Sequence, residues 1–248
     1  MTQADISFVT VRRQFDFRTI EVGRWVAPAE RDHAAYRFYH ALHDLMAVLQ
    51  GPEHLISLRN TLGLQYGIGG RPGVAAHYLP ATRQLALAKN AGAGSLAHEW
   101  FHAFDHYMGG KAFRHTGPFK FASSAWLEGA LQKPHALNDR LTDCLKAILL
   151  TDDGTGPSPL FDCSRQADAR LGVLYYARPE EMCARAFEAF VEDNQPDNHF
   201  LVDGTVYSDE AQAGLYPQGR QRQVINDAFQ TYFSSLGEAL YREQAKAG

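Results

Sequence analysis

Ala97-His98-Glu99-Trp100-Phe101-His102-Ala103-Phe104-Asp105-His106 is the stretch on which the reading of this chain turns. On an α-helix, histidines four residues apart lie on one face, one turn from each other, and can grip one ion from the same side. Neutral imidazole nitrogen is a favoured zinc donor, and a site with three protein ligands keeps a position open for water. Glu99 points about 100° round the helix axis from His98, where its carboxylate can reach that water. The combination of a Lewis-acidic ion and an adjacent carboxylate base suits amide hydrolysis. Leu96, Ala97, Phe101, Phe104 and Met108 form an apolar stripe, with His98, His102 and Asp105 on the opposite side. Imidazoles and carboxylates on a buried helix are costly unless something satisfies them. One zinc ion is the expectation.

Outward from this helix, Ala91-Gly92-Ala93-Gly94 reads as a turn and Ser95 as an N-cap. Before it, Ala75 to Leu79 and Gln84 to Lys89 read as a hairpin, the second strand alternating as a half-buried strand does. The loop Gly67 to Gly73 lacks the Lys-Ser/Thr of a phosphate-binding loop, and Pro72 stands where a helix would begin, so nucleotide binding is not expected. Leu55 to Tyr66 has strand or mixed character. Pro28 to Gln50 carries Ala34, Phe38, Leu42, Leu45, Met46 and Leu49 at helical spacing, with Pro at its start and Gly51 just past its end. The opening, Ile6 to Val26, is rich in Val, Phe, Ile and Thr and predicts one or two strands with a break near Asp16. Beyond the histidines, helices are expected over Ala125 to Gln132, Leu137 to Leu150, Pro179 to Asn194 and Arg220 to Lys246, with loops at Asp152 to Pro159 and Asp197 to Gly219.

A third ligand is needed. His106 lies about 12 Å along the axis from His98, too far to share the ion, and no glycine before Gly109 turns the chain back. It is expected near the site or exposed. The segment Arg178-Pro179-Glu180-Glu181-Met182-Cys183-Ala184-Arg185-Ala186-Phe187-Glu188 offers acids instead. Pro179 opens a helix on which Glu181, Arg185 and Glu188 share a face. Glu181 and Glu188 both compete for the metal, and spacing does not separate them; the plain alternative is a Glu–Arg–Glu ladder of surface ion pairs. Tyr175 and Tyr176 stand just before this helix, where a phenol can donate to a tetrahedral oxyanion.

These residues resemble the gluzincin metallopeptidases, whose two histidine ligands come from the H-E-x-x-H helix and whose glutamate comes from a later helix. His98 to Tyr107 is similar to the active-site helix of the anthrax lethal factor type, and Glu181 to Phe187 to its ligand helix. The resemblance implies His98, His102 and Glu181 as ligands and Glu99 as general base. The family's catalytic tyrosine falls at Tyr175, one residue out of register, which leaves Tyr176 open. Closer still are the bacterial and phage large polyvalent-protein-associated domains and the bacterial proteins labelled CLCA_X. These share Gly92 to Trp100, Glu181 to Glu188 and the Tyr216-Pro217 turn, a likeness running over residues 12 to 240. Arg185 stands where the lethal-factor type has a second Glu, so the acid that steadies a ligand must come from Asp105 or Glu188.

The resemblance implies an α+β, zincin-like fold with a small mixed sheet, a backing helix at 28–50, an active-site helix at 95–108 and a Glu-bearing helix at 179–194. The chain is expected to be a single such domain over residues 1–248, with a helical insertion at about 111–170. In such folds an antiparallel edge strand receives substrate as an added strand, here Ala75 to Leu79, with His77 or Tyr78 toward it. The expected activity is zinc-dependent peptide-bond hydrolysis on a protein or peptide; a non-peptidase amidohydrolase and a non-catalytic metal-binding module are the other classes. Composition sets outer bounds: 45% hydrophobic and 21% charged residues with net charge −4 are ordinary for a globular chain and give no basic footprint for nucleic acid or membrane. Cys144, Cys163 and Cys183 form no C-x-x-C pair, and with no signal peptide or membrane span visible, a cytoplasmic enzyme is expected.

Overall fold

The computed structural model describes residues 6–68, 76–89, 94–195 and 197–247. The chain groups into two compact units, one of residues 1–103, 195–203 and 237–248, the other of residues 104–194 and 204–236.

The first unit opens on a helix, not a strand: α1 (Phe8–Phe15). Ser7 accepts from the Thr10 amide while the Thr10 hydroxyl accepts from the Ser7 amide, a reciprocal cap that satisfies two otherwise orphaned donors. Phe8, Val11 and Phe15, spaced by three and four, supply the buried face, and Asp16 ends the helix in the left-handed conformation. Where one or two strands were expected, β1 (Ile20–Val22) is the strand that forms. The helix α2 (Pro28–Leu49) matches its sequence reading, with Pro28 in the first turn; the left-handed residue at its end is Gln50 (φ 51°). Leu55 to Tyr66 divides into α3 (Glu53–Ile56) and β2 (Gly63–Tyr66).

The hairpin is present as β3 (Ala76–Leu79) and β4 (Gln84–Leu87), antiparallel, with His77 opposite Ala86 and Tyr78 opposite Leu85. The sheet order is β1-β2-β4-β3, with β1, β2 and β4 mutually parallel and β3 at the edge. The α+β class and the small mixed sheet are therefore present. Residues 69–73 of the expected glycine loop, Ala75 of the expected strand and Ala91 to Ala93 of the expected turn lie outside the described residues.

The helix α4 (Ser95–Ala112) begins in the first unit and ends in the second. Ser95 is its first residue rather than its cap, and it runs past the expected end at 108, through Gly109 and Gly110. The second unit holds α5 (Ala122–Leu127), α6 (Ala136–Leu149), α7 (Pro159–Leu171), α8 (Pro179–Asn194), α9 (Asp209–Gln212) and most of α10 (Gly219–Ala247). The segment 111–170, expected to be helical, thus carries α5, α6 and α7. Its core is aromatic: Phe104 of α4, Phe187 and Phe190 of α8, and Phe229, Tyr232 and Phe233 of α10 are all buried. Phe233 meets Phe104 at 5.4 Å and Phe187 at 5.7 Å between ring centroids, so one side chain joins the second half of α4 to α8. No helix among the described residues is long and apolar enough to cross a membrane.

Two glycines near the end of α4 make opposite demands. A Cβ on Gly109 would lie 2.0 Å from the Lys120 carbonyl oxygen, whereas on Gly110 its nearest neighbour would be the Thr116 hydroxyl at 3.7 Å. Alanine is favoured over glycine within a helix by about 1 kcal/mol, and forced overpacking costs about 1–3 kcal/mol. Gly109→Ala should therefore lower Tm by about 2–8 °C and Gly110→Ala leave it unchanged or raise it, for a chain of this size. Thermal denaturation of both variants checks this; equal or reversed shifts would show that the 109–120 approach does not constrain the helix.

Candidate metal centre

Each half of α4 is fixed by its own unit. In the first, the Ala97 amide donates to the Leu201 carbonyl, satisfying one of the donors a helix start leaves open. Trp100, fully buried, donates its indole N–H to the Ile56 carbonyl at 2.9 Å. In the second, Phe104 sits against Phe233 and Tyr232. The apolar stripe expected from sequence is buried throughout, and so is most of the polar face: Glu99, His102, Asp105 and His106 are all at most 9% exposed, and His98 is half-buried.

His98 and His102 turn their rings toward each other, with Nε2 atoms 3.0 Å apart. Together with Glu181 they form a cluster in which the three ligand atoms all lie within 4.8 Å of one another. Glu181 stands in the first turn of α8, whose residues 181 to 191 are buried without exception. This His–His–Glu cluster could hold a metal ion. It is the group of this kind found among the described residues.

The other expected residues divide. Asp105 accepts from the Ser123 amide at 2.9 Å and from the Ser123 hydroxyl, and so tethers the start of α5. His106 is buried rather than exposed, with Nε2 2.9 Å from the Pro118 carbonyl. Glu188 accepts from the Tyr216 hydroxyl at 2.9 Å. Burial first, then the Glu188 charge and hydrogen bond, push the Tyr216 phenol far above the usual tyrosine range, so it stays a neutral donor. The surface ladder with Glu188 that was the plain alternative for Arg185 is not formed. Arg185 donates to the Leu215 carbonyl at 2.7 Å, to the Tyr176 carbonyl and to the Ser164 hydroxyl.

Tyr175 is 42% exposed and Tyr176 half-buried, their rings edge-to-face at 5.1 Å. Their backbone is held by a residue the sequence reading passed over. Asp168 accepts from the amides of Tyr175, Tyr176 and Ala177 at 3.1, 2.8 and 3.0 Å. Burial raises its pKa, but those three donors and the Arg185 charge outweigh it, and the group titrates below the ordinary aspartate value. Its stabilising contribution is therefore present at neutral pH and lost only as pH falls through that lowered value. A signal was available: an acid in the last turn of a helix opposes the helix dipole and implies a partner elsewhere. His77 and Tyr78 lie half-buried on the edge strand β3. Burial chiefly lifts the Tyr78 phenol above its usual range, with Arg83 and Arg18 pulling it partly back. Cys183, fully buried with its thiol pushed up by burial, is inert packing.

Residues 167–240 match the family described as large polyvalent protein-associated domain 1. The matched stretch contains Asp168, both tyrosines, all of α8 and Tyr216, and begins well after α4. Comparison with curated proteins and with solved structures gave no match.

The cluster separates the two glutamates. His98→Ala, His102→Ala and Glu181→Ala should each abolish stoichiometric metal binding, because two remaining donors cannot hold a divalent ion at neutral pH against water. Glu188→Ala should keep it, its carboxylate being engaged by Tyr216. Metal analysis after dialysis reads this directly, and retention in Glu181→Ala with loss in Glu188→Ala would reverse the ligand assignment.

Proposed function

We propose that the chain is a zinc-dependent peptidase. The observation that carries this is the convergence of His98, His102 and Glu181 ligand atoms within 4.8 Å, with Glu99 buried beside His98 on the same helix. Zinc–imidazole bonds of about 2.0–2.1 Å at a tetrahedral angle put two nitrogens about 3.3 Å apart. The 3.0 Å between the two Nε2 atoms lies within a few tenths of that. Two imidazoles and one carboxylate are the donor set of hydrolytic zinc sites that keep a position open. The resemblance of the two motif segments, His98 to Tyr107 and Glu181 to Phe187, to gluzincins and to the lethal-factor type supports the same reading.

Bound zinc supplies Lewis acidity toward a carbonyl oxygen and toward water. Glu99 takes the proton released as water attacks, and returns it to the departing amine. A phenol from Tyr175 or Tyr176 donates a hydrogen bond to the oxyanion as it develops. Extended substrate lies along β3, whose outer edge pairs with no strand among the described residues, with His77 and Tyr78 flanking it.

Glu99→Gln keeps the shape of the side chain and removes the base. It should retain metal and lower turnover of peptide by at least about 100-fold. Wild type and variant are compared on a denatured protein pool and on a panel of small amides, with labelling of newly formed N-termini. Hydrolysis of small amides alone would replace the peptidase by a non-peptidase amidohydrolase. Turnover in Glu99→Gln close to wild type would place the base elsewhere.

A further inference from the structure

Between the end of α7 and the start of α8 the chain runs from Gly172 to Arg178 outside any helix or strand, and one residue orders most of it. The Asp168 carbonyl accepts from the amides of Gly172 and Val173, closing α7 in the left-handed turn at Gly172. The Asp168 carboxylate then accepts from three successive amides, Tyr175 and Tyr176 on Oδ1 and Ala177 on Oδ2. Successive N–H groups converging on a point make a concavity that binds anions, and here the anion is the chain's own side chain. From the other direction Arg185 of α8 donates to the Tyr176 carbonyl and lies over the Tyr176 ring, 5.3 Å from its centroid. The donors of the turn are gathered by Asp168 and an acceptor by Arg185, which fixes both tyrosines at their Cα atoms.

This is more restraint than a connection needs. Leu171, Val173, Leu174 and Tyr175 are all exposed, so packing does not explain why the segment has a single backbone path. We propose that Asp168 is a positioning residue for the tyrosine that donates to the oxyanion, an assignment resting on the peptidase reading above. Stabilisation of a developing charge depends on donors set in place beforehand, and a displacement of about 1 Å can cost about 100-fold in rate.

Asp168→Asn keeps the size of the side chain but has a single acceptor oxygen for three amides, and sets an NH2 against at least one of them. It is expected to retain full metal content, to lower kcat by about 10- to 100-fold with KM nearly unchanged, and to speed amide hydrogen exchange at Tyr175, Tyr176 and Ala177. Tyr175→Phe and Tyr176→Phe identify the donor by the larger fall in kcat. In that background Asp168→Asn should cost no more than about twofold further, since two residues acting as a unit are not additive. Full additivity, loss of metal together with kcat, or unchanged exchange at those amides would each overturn the assignment. Should Asp168→Asn fail to fold, Asp168→Glu, which keeps the charge and moves the carboxylate by one methylene, enters the same cycle with the same expected outcome, and additivity there overturns it equally. A wild type that cleaves no peptide removes the proposed function and this role with it; an active wild type with additive losses removes this role alone.

Discussion

Holding two imidazole nitrogens 3.0 Å apart, with a carboxylate oxygen of Glu181 inside the same 4.8 Å, is the constraint on which the rest of this structure depends. Groups so placed lose hydration and crowd their lone pairs, so the fold must hold them together. Buried anchors fix the middle of α4 on either side of His102: Trp100 bonded to Ile56 in the first unit, Phe104 packed on Phe233 in the second. Phe233 also meets Phe187, six residues beyond Glu181 on α8. Phe104 of α4 and Phe187 of α8, both in the second unit, are thus joined by a short chain of buried rings. Aromatic pairs of this kind add about 0.5–1.5 kcal/mol each beyond the area they bury, and several of them share Phe233.

In the second unit several charged side chains are met by backbone groups. Arg185 spends its donors on the carbonyls of Leu215 and Tyr176. Asp168 accepts three amides, Asp105 accepts from Ser123, and Glu192 accepts from the amides of Gly204 and Thr205. Each of these side chains sits on a helix; Asp105 holds the start of α5, and Arg185, Asp168 and Glu192 organise non-helical segments that would otherwise leave polar backbone unsatisfied. Hydrogen bonds to ionised groups are about 1.5–3 kcal/mol each, stronger than neutral ones, which suits segments with little apolar surface to bury. Ion pairs in the second unit that are exposed, such as Lys146 with Asp143, add little by comparison.

What the sequence made legible follows from how local each signal is. The helices α2 and α8 were readable to within a residue because proline at the start and a long apolar period fix them without reference to the rest of the chain. The histidine pair was readable because four-residue spacing on a helix is itself a geometry. The opening segment misled because Val, Phe and Thr favour strands, while the reciprocal cap of Ser7 and Thr10 favours a helix, and the cap won. Trp100 and Gly109 were illegible as anchors, since their reasons are the Ile56 carbonyl and the Lys120 carbonyl, both distant in sequence or set by a loop. Arg185 seemed made for an ion pair with Glu188 on its own helix, and the fold gave it carbonyl partners far along the chain instead.

The two glutamates of α8 show where pattern stops and environment decides. Glu181 and Glu188 share a helix face and lie about 10 Å apart along the axis, and spacing treats them alike. The structure does not. Glu188 lies deep in the second unit, where Tyr216, kept neutral by burial, donates to it at 2.9 Å. Glu181 lies in the first turn of α8 and offers a carboxylate oxygen within 4.8 Å of ring nitrogens of His98 and His102. An ionised carboxylate is what a metal ligand must be. A carboxylate bound by a phenol has one oxygen committed to a neutral donor. Two chemically identical residues thus stand in different surroundings, one in the His–His–Glu cluster and one beside a buried tyrosine, and the spacing of the acids records neither.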